Sequence, residues 1–233
     1  MLKRNIIITG GTDGIGLALT RKLIEKDHRV FIVGRNASKG EAVLNSIKSP
    51  NLEFFQCDLS ELSEVRKILV SLNNLKNIDV LINNAGAIFD ERSLNSEGIE
   101  KTFFLNHLSY FALSLGLVEK LESSSDPRII NVSSNAHKRY KIDLNDLENE
   151  INYNGWKAYC RSKLLNIFFT YSFKDKMKTK INSNCLHPGF VNSNFGNNNK
   201  NFYRFLINIL KNLFAIESNK AALSPLNLAL SEE

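Results

Sequence analysis

The chain has 233 residues, of which 43% are hydrophobic and 23% are charged, and these values are ordinary for one soluble globular domain over residues 1–233. The net charge is +6, but lysine is spread along the whole chain, so a nucleic-acid partner is not expected, whereas a basic rim around an anionic cofactor would fit. The cysteines Cys57, Cys160 and Cys185 lack metal-ligand spacing, which favours reduced thiols and excludes a metal site of that kind.

Strand-like and helix-like patterns alternate along the chain. The six predicted strands cover residues 4–9, 30–34, 52–57, 78–82, 128–133 and 181–186. The segments between them have helical patterns. This alternation predicts a doubly wound parallel sheet with helices on both faces, an α/β fold of three layers.

A glycine-rich turn follows the first predicted strand, and a helical pattern follows the turn. Gly10 can make the tight turn, Gly14 lets the backbone approach a pyrophosphate, and Gly16 lets the helix pack closely on the sheet. A strand, a glycine turn and a helix begin a Rossmann dinucleotide-binding unit, in which the helix N-terminus faces the anion. The cofactor contacts expected from this turn come from Gly10, Thr12, Asp13, Gly14, Ile15 and Gly16.

The residue after the second predicted strand indicates which dinucleotide binds. An acidic residue here would bind the ribose 2′-hydroxyl of NAD, whereas Arg35 suits the 2′-phosphate of NADP. The alternative is that Arg35 is a solvated loop charge. Asp13 opposes NADP, because its carboxylate lies in the glycine turn and would repel the phosphate. We expect NADP (NADPH) rather than NAD.

Three side chains in the second half of the chain form a candidate acid–base site. Tyr159 and Lys163 are four residues apart in a helical pattern, so they share one helix face. A nearby ammonium favours the phenolate, and we therefore expect Lys163 to lower the pKa of Tyr159. Ser134 follows the fifth predicted strand and could orient a carbonyl, although serines after a strand can also be turn residues.

With these motifs, the chain resembles the short-chain dehydrogenase/reductase family from about Lys3 to its C-terminus. Asn106 in the helix after the fourth strand matches a catalytic position of the family. The resemblance also implies cofactor contacts from Tyr159 and Lys163, from Asp58 and Leu59 after the third strand, from Asn84, Ala85 and Gly86 after the fourth, and from Pro188, Gly189, Val191 and Ser193 after the sixth. Residues 161–166 and 135–137 resemble the branch that contains retinol dehydrogenases and the WW-domain oxidoreductase.

The resemblance implies an NAD(P)(H)-dependent oxidoreductase that interconverts an alcohol and an aldehyde or ketone, with NADPH-dependent reduction of an apolar carbonyl compound as the expected reaction. Tyr159 would be the acid/base and Ser134 would fix the carbonyl oxygen. Lys163 would hold the nicotinamide ribose, and Asn106 would position a water that links Lys163 to solvent. The alternative is a non-catalytic NADP(H)-binding regulatory or interaction protein, which would typically lack one of these four residues.

Other expectations concern the surface and the ends of the chain. Residues 202–214 form an amphipathic pattern, which we expect to be a substrate lid; plain packing and shallow membrane contact are alternatives. Relatives often pair through the helices that carry Asn106 and Tyr159, which would give a homodimer or homotetramer. No apolar stretch approaches the ~20 residues of a spanning helix and the first strand begins near Met1, so we expect a soluble, cytoplasmic protein.

The C-terminus departs from the family pattern. Relatives continue into a seventh strand, whereas this sequence stops at Glu233. We therefore expect the seventh strand to be absent, through an early end or a truncation, with the sixth strand at an open edge of the sheet.

Overall fold

A computed structural model of the protein describes residues 2–189 and 218–231. The strands are β1 (Asn5–Thr9), β2 (Arg29–Gly34), β3 (Leu52–Gln56), β4 (Val80–Asn83), β5 (Arg128–Val132) and β6 (Asn182–Leu186). The α-helices are α1 (Gly14–Glu25), α2 (Ala37–Ile47), α3 (Leu62–Asn73), α4 (Lys101–Phe103), α5 (Ser109–Gly116), α6 (Val118–Glu122), α7 (Gly155–Met177), α8 (Ser218–Ala221) and α9 (Leu223–Leu230). A π-helix, Phe104–Leu108, joins α4 to α5, and a 3₁₀-helix, Asn135–Arg139, follows β5.

The six strands form one parallel sheet in the order β3-β2-β1-β4-β5-β6. Each strand overlaps its predicted range, so the predicted doubly wound α/β fold is confirmed. The strand order reverses between β1 and β4, and in such sheets a crevice opens at the carboxyl ends of the strands beside that point.

The central strand β1 shows why both faces of the sheet are covered. Ile6, Ile7 and Ile8 are all fully buried, although successive side chains of a strand point to opposite faces. Ile7 belongs to the apolar cluster that includes residues of α3, α5 and α7. Ile6 and Ile8 belong to the cluster on the other face, with residues of α1 and α9. The helices therefore form the two outer layers.

Among the described residues, β6 pairs only with β5 and is the edge strand of the sheet. Within the described part of the chain, α9 packs against β5 and β6. Arg128 on β5 donates from Nη1 to the carbonyl oxygen of Leu228, at 2.7 Å. No helix in the described ranges is long and apolar enough to cross a membrane. The predicted lid at 202–214, and the site residues Val191 and Ser193, lie outside the described residues.

Candidate active site

Most of the predicted site residues that the structure describes come just after the carboxyl ends of the strands. The others are carried by helices. The glycine turn follows β1, Arg35 follows β2, and Asp58 follows β3. Asn84 and Ser134 follow β4 and β5 in the same way. Because all strands are parallel, their carboxyl ends meet at this edge, and the motifs come together although they are far apart in sequence.

The glycine turn is shaped for a close approach of the backbone. Gly10 and Gly14 have φ of 69° and 51°, in the left-handed region that favours glycine. A side chain at Gly16 would bring its Cβ to 2.2 Å from the carbonyl oxygen of Gly10, so only glycine fits there. The turn after β4 is bonded to this one, because Asn84 donates from Nδ2 to the carbonyl oxygen of Thr9, at 2.8 Å.

Three further residues predicted to bind cofactor have their side chains committed to packing or to neighbouring groups. Thr12 lies close to Gly34 at the end of β2. Ile15 packs against the apolar cluster of α1, and Leu59 is buried in the cluster on the opposite face. Ile15 and Leu59 could therefore contact a cofactor mainly through their backbone.

Asp13 caps α1 and is paired with a lysine that the sequence analysis did not single out. One oxygen, Oδ1, accepts from Gly14 N at 2.8 Å, and the other, Oδ2, lies 2.6 Å from Nζ of Lys39. Lys39 stands in the first turn of α2, whose N-cap is Asn36. The helix dipole disfavours a cation in the first turn. The position of Lys39 in the sequence was therefore the signal that its side chain has a partner outside α2.

Arg35 and Asp58 line one cavity at the ends of β2 and β3. Its volume is about 560 Å³, and its lining residues are Arg35, Asn36, Gln56, Cys57, Asp58 and Glu64. Asp58 accepts from the backbone N–H and the hydroxyl of Ser60, at 3.0 and 2.7 Å, which fixes the carboxylate. The cavity thus combines one cation with two acidic side chains.

Asn106 lies in the π-helix, and its side chain holds the loop after β4. Oδ1 accepts from Ala87 N at 2.9 Å, while Nδ2 donates to the carbonyl oxygen of Ala87 at 2.8 Å and to Oγ of Ser162 at 3.2 Å. A Cβ at Gly86 would lie 3.1 Å from Asn106 Oδ1 and 3.4 Å from Lys163 Nζ. The predicted residues Gly86, Asn106 and Lys163 therefore share one small space. Ala85 is fixed there too, because its carbonyl oxygen accepts from the buried Tyr110 hydroxyl at 2.7 Å.

Helix α7 carries Tyr159 and Lys163, both of them buried. The side chain of Asn154 caps this helix by accepting from Lys157 N at 2.9 Å. Tyr159 forms a side-chain hydrogen bond with Ser134. Nζ of Lys163 donates to the carbonyl oxygen of Val132 at 2.9 Å and lies 5.7 Å from the centre of the Tyr159 ring. The predicted serine, tyrosine and lysine are thus brought together.

Burial dominates the proton affinities of this cluster. It raises the pKa of Tyr159 to about 12, against a smaller lowering by the Ser134 hydrogen bond. It lowers the pKa of Lys163 to about 8. The expectation of a lowered pKa for Tyr159 is therefore wrong for this structure: desolvation of the phenol is the largest cause and raises the pKa, and the Lys163 ammonium donates to Val132 instead.

Trp156 is a site residue that the sequence analysis missed. Its ring stacks on the Tyr159 ring, with centroids 5.6 Å apart and planes inclined by 25°. Both rings belong to a small apolar cluster with Ile88, Ala136 and Cys160. The signal was the spacing of three residues on one helix, which places the two rings on neighbouring turns. The burial of Cys160 in this cluster agrees with its predicted packing role.

The segment after β6 closes the described part of the site. Pro188 and Gly189 come one residue after the end of β6, and Gly189 has φ of 82°. Ser133 N donates to the carbonyl oxygen of Leu186 at 2.7 Å, so the ends of β5 and β6 lie side by side. The Pro188–Gly189 turn therefore starts next to Ser134.

A dinucleotide-binding sheet with a partly buried serine and a buried tyrosine and lysine at its carboxyl edge defines a class of nicotinamide-dependent enzymes. The family model for short chain dehydrogenases matches residues 4–203. Human retinol dehydrogenase 12 is 36% identical over 194 residues, covering 81% of this chain and 61% of that protein. The chain belongs to the short-chain dehydrogenase family, and its sequence relatives include retinol dehydrogenases, as predicted.

Solved structures agree with the fold. An uncharacterised protein from Mycobacterium paratuberculosis superposes with a TM-score of 0.80 at 29% identity, covering 99% of this chain and 77% of that one. A short-chain dehydrogenase from Sphingobium yanoikuyae in complex with NADPH superposes with a TM-score of 0.75 at 19% identity, covering 96% and 82%. The second likeness concerns the fold alone.

Proposed function

We propose that the protein is an NADPH-dependent reductase of an apolar aldehyde or ketone, with Tyr159 as the acid/base. The observation that carries this proposal is the buried Tyr159 phenol, hydrogen-bonded to Ser134 and placed beside the Lys163 ammonium. A proton donor next to a second hydroxyl donor, in a desolvated position, suits a carbonyl oxygen that gains negative charge during reduction.

The residues at the sheet edge fit a dinucleotide. The space beside Gly16 is one that a Cβ would fill, and the backbone of the glycine turn opens at the N-terminus of α1, where a pyrophosphate is stabilised. The cavity between Arg35 and Asp58 would take the adenosine end. Lys163 and the Gly86 loop would take the nicotinamide ribose. When bound, the nicotinamide supplies the hydride for the reduction.

The 2′-phosphate preference rests on two cations. Arg35 lies at the cavity, and Lys39 lies against Asp13 in the neighbouring turn. The repulsion that the sequence predicts from Asp13 is offset by this pairing. We therefore assign NADP rather than NAD as the preferred cofactor.

Side chains of this protein would supply the proton, position the carbonyl oxygen and hold the ribose. Tyr159, with a pKa of about 12, is protonated at neutral pH and donates its phenolic proton to the carbonyl oxygen. Ser134 donates a hydrogen bond to the same oxygen and fixes its position. Lys163 holds the ribose and returns a proton towards the phenol, through the water that Asn106 would position. The Trp156 ring covers one face of Tyr159 and limits the access of water.

The names of two relatives support an apolar substrate class. A retinol dehydrogenase and a polyprenol dehydrogenase are both named after long apolar alcohols. We infer an apolar carbonyl or alcohol substrate for this chain, taken up by residues 1–233 acting as one NAD(P)-binding unit in the cytoplasm. Pairing into a homodimer or homotetramer would use the exposed aromatic side chains Phe111 on α5 and Phe168 on α7.

The test combines turnover with binding. NADPH or NADH is mixed with a panel of aliphatic, aromatic and polyene aldehydes and ketones, and oxidation of the cofactor is followed by absorbance while its binding is measured by calorimetry. We expect turnover with NADPH and an apolar carbonyl compound. Binding of NADPH without turnover of any substrate would instead favour the non-catalytic regulatory protein.

A further inference from the structure

Asn166 is a buried amide on α7 whose two ends both bind the π-helix. Its Nδ2 donates to the main-chain carbonyl oxygen of Asn106 at 2.8 Å. Its Oδ1 lies 2.9 Å from Nδ1 of His107. The side chain is fully buried and stands three residues after Lys163, on the neighbouring turn of the same helix. A buried amide bonded at both ends has one orientation only.

The π-helix explains why the Asn106 carbonyl takes a side-chain donor. The N–H of Ser109 reaches five residues back, to the carbonyl oxygen of Phe104, so the hydrogen-bond ladder is displaced by one residue. The hydroxyl of Ser109 donates to the next carbonyl, on Leu105, at 2.6 Å. Asn166 donates to the carbonyl oxygen after that, on Asn106. Two successive carbonyls of the widened turn therefore receive side-chain donors, as buried carbonyls require.

Asn106 is held by α7 on both sides of Lys163. Its side chain donates to Oγ of Ser162, one residue before Lys163, and its carbonyl accepts from Asn166, three residues after it. The amide of Asn166 is oriented in turn by His107. An amide oxygen only accepts, so Nδ1 of His107 carries a hydrogen and donates to Asn166 Oδ1, while burial lowers the pKa of His107.

We propose that Asn166 is a positioning residue that fixes the main-chain carbonyl of Asn106 relative to Lys163, and so sets the path by which the Lys163 ammonium exchanges its proton during turnover. The inference rests on the proposed reductase function. It assigns to Asn166 no contact with substrate or cofactor. A general structural role, in which Asn166 only adds stability to the core, is the competing explanation.

Thr170 provides a matched control. It lies one turn beyond Asn166 in the same buried polar chain, donating to the Asn166 carbonyl oxygen at 2.7 Å and accepting from Asn131 Nδ2 at 3.0 Å. None of these bonds involves the Asn106 carbonyl. Thr170→Val therefore disturbs buried hydrogen bonds on the same helix, without removing the donor to the π-helix.

The experiment compares Asn166→Leu with Thr170→Val in the full chain. Amide hydrogen exchange at residues 106–110 is measured without cofactor, and kcat and KM are measured with NADPH and the best carbonyl substrate. For Asn166→Leu, we expect exchange at 106–110 to rise by about tenfold and kcat to fall by about tenfold, with KM for NADPH within about twofold. For Thr170→Val, both values should stay within about twofold of the wild type at equal folded fraction.

Each outcome decides between the explanations. A parallel loss of kcat in both variants, or normal exchange at 106–110 in Asn166→Leu, would overturn the inference. Asn166→Ala removes the same bonds without added bulk and is measured alongside, so that a leucine variant that does not fold still leaves a test. A wild-type protein without turnover would instead overturn the proposed function, and the exchange rates would still report on Asn166.

Discussion

Lys39 and Asp13 form an ion pair between the first turn of α2 and the N-cap of α1, with Nζ 2.6 Å from Oδ2. Both side chains are partly exposed, so the pair adds little to the stability of the fold. Its consequence is local: it cancels a negative charge beside the position proposed for the 2′-phosphate. The pair thus removes the main sequence argument against NADPH.

We expect Lys39→Gln to weaken NADPH binding by about tenfold while changing NADH binding by less than about twofold, because only NADPH carries the phosphate that the uncompensated Asp13 would repel. Dissociation constants for both cofactors, measured by calorimetry at low and high salt, provide the test. Lys26→Gln, at the exposed far end of α1, is the matched control. An equal loss for NADPH and NADH would contradict the assignment.

The double variant Asp13→Asn/Lys39→Gln separates two roles of Lys39. If the lysine acts mainly by neutralising Asp13, the double variant should bind NADPH within about threefold of Asp13→Asn alone. If Lys39 contacts the phosphate itself, the full loss should remain in the double variant. The two results distinguish neutralisation of Asp13 by Lys39 from a direct contact of Lys39 with the phosphate.

Arg35 gives a second prediction on cofactor choice. Arg35→Asp should lower kcat/KM for NADPH by at least about tenfold and raise it for NADH, because a carboxylate at this position repels the 2′-phosphate and can accept from a ribose hydroxyl. Steady-state kinetics with both cofactors measure the ratio. A preference ratio unchanged from that of the wild type would show that Arg35 does not contact the phosphate.

The strands and the order of the motifs could be predicted from the sequence because they depend on local patterns. Runs such as Ile6-Ile7-Ile8 are buried on both faces of a parallel sheet, so they appear as continuous apolar segments. The glycine turn and the Tyr159–Lys163 spacing are equally local. Connecting them needs only the rule that parallel strands end at one edge.

What the sequence could not supply depends on tertiary contacts. The approach of Lys39 to Asp13 is fixed by the packing of α2 against β3, and the sequence between them does not encode the distance. The π-helix around Asn106 has no sequence signature, since one of its carbonyls accepts from Asn166, which lies 60 residues away. The raised pKa of Tyr159 cannot be predicted from the sequence, because the burial of the phenol depends on tertiary packing and not on helix spacing.

Lys163 should make the stability of the protein depend on pH. Its folded pKa of about 8 lies below the usual 10.5, so between these values the unfolded chain binds more protons and the free energy of unfolding rises with pH. From pH 7 to 9.5 the gain should reach at most about 2 kcal/mol relative to Lys163→Met. Urea unfolding of both proteins at the two pH values measures it.

The buried phenol of Tyr159 lowers the stability of the protein at higher pH. Tyr159 has a folded pKa of about 12 against the usual 10, so above pH 10 the folded state retains a proton that the unfolded state loses, and stability falls. The rise in the free energy of unfolding that is due to Lys163 is therefore measured below pH 10. A wild-type protein and a Lys163→Met variant with the same pH slope would contradict the burial of the ammonium.

Arg161 should hold the segment between Ser134 and Tyr159. The guanidinium is buried and donates to the carbonyl oxygens of Lys141 and Asp146, both at 3.1 Å, and to Oδ1 of Asn149 at 2.8 Å. Arg161→Lys cannot reproduce this fork, so we expect faster hydrogen exchange at 141–149 and a loss of about 1–3 kcal/mol in the free energy of unfolding. Arg66→Lys, an exposed arginine on α3, is the control and should change neither value.

Tyr159→Phe tests the chemistry most directly. The variant keeps the ring that stacks on Trp156 and loses only the hydroxyl that bonds to Ser134. We expect kcat to fall by about 10²–10⁴-fold, because a positioned proton donor contributes a factor of this size and the site has no second phenol aimed at Ser134 among the residues described. The dissociation constant for NADPH should stay within about twofold, since the ribose contact belongs to Lys163.

Tyr171→Phe, on the exposed face of the same helix, is the matched control for this loss and should keep full activity. Calorimetric binding and single-turnover rates, measured on both variants, separate the proton-transfer step from cofactor affinity. A Tyr159→Phe protein that reduces the same carbonyl compound at near-normal rates would remove Tyr159 from the role of acid/base. The proton would then have to reach the carbonyl oxygen through Ser134, whose own alcohol is a far weaker acid.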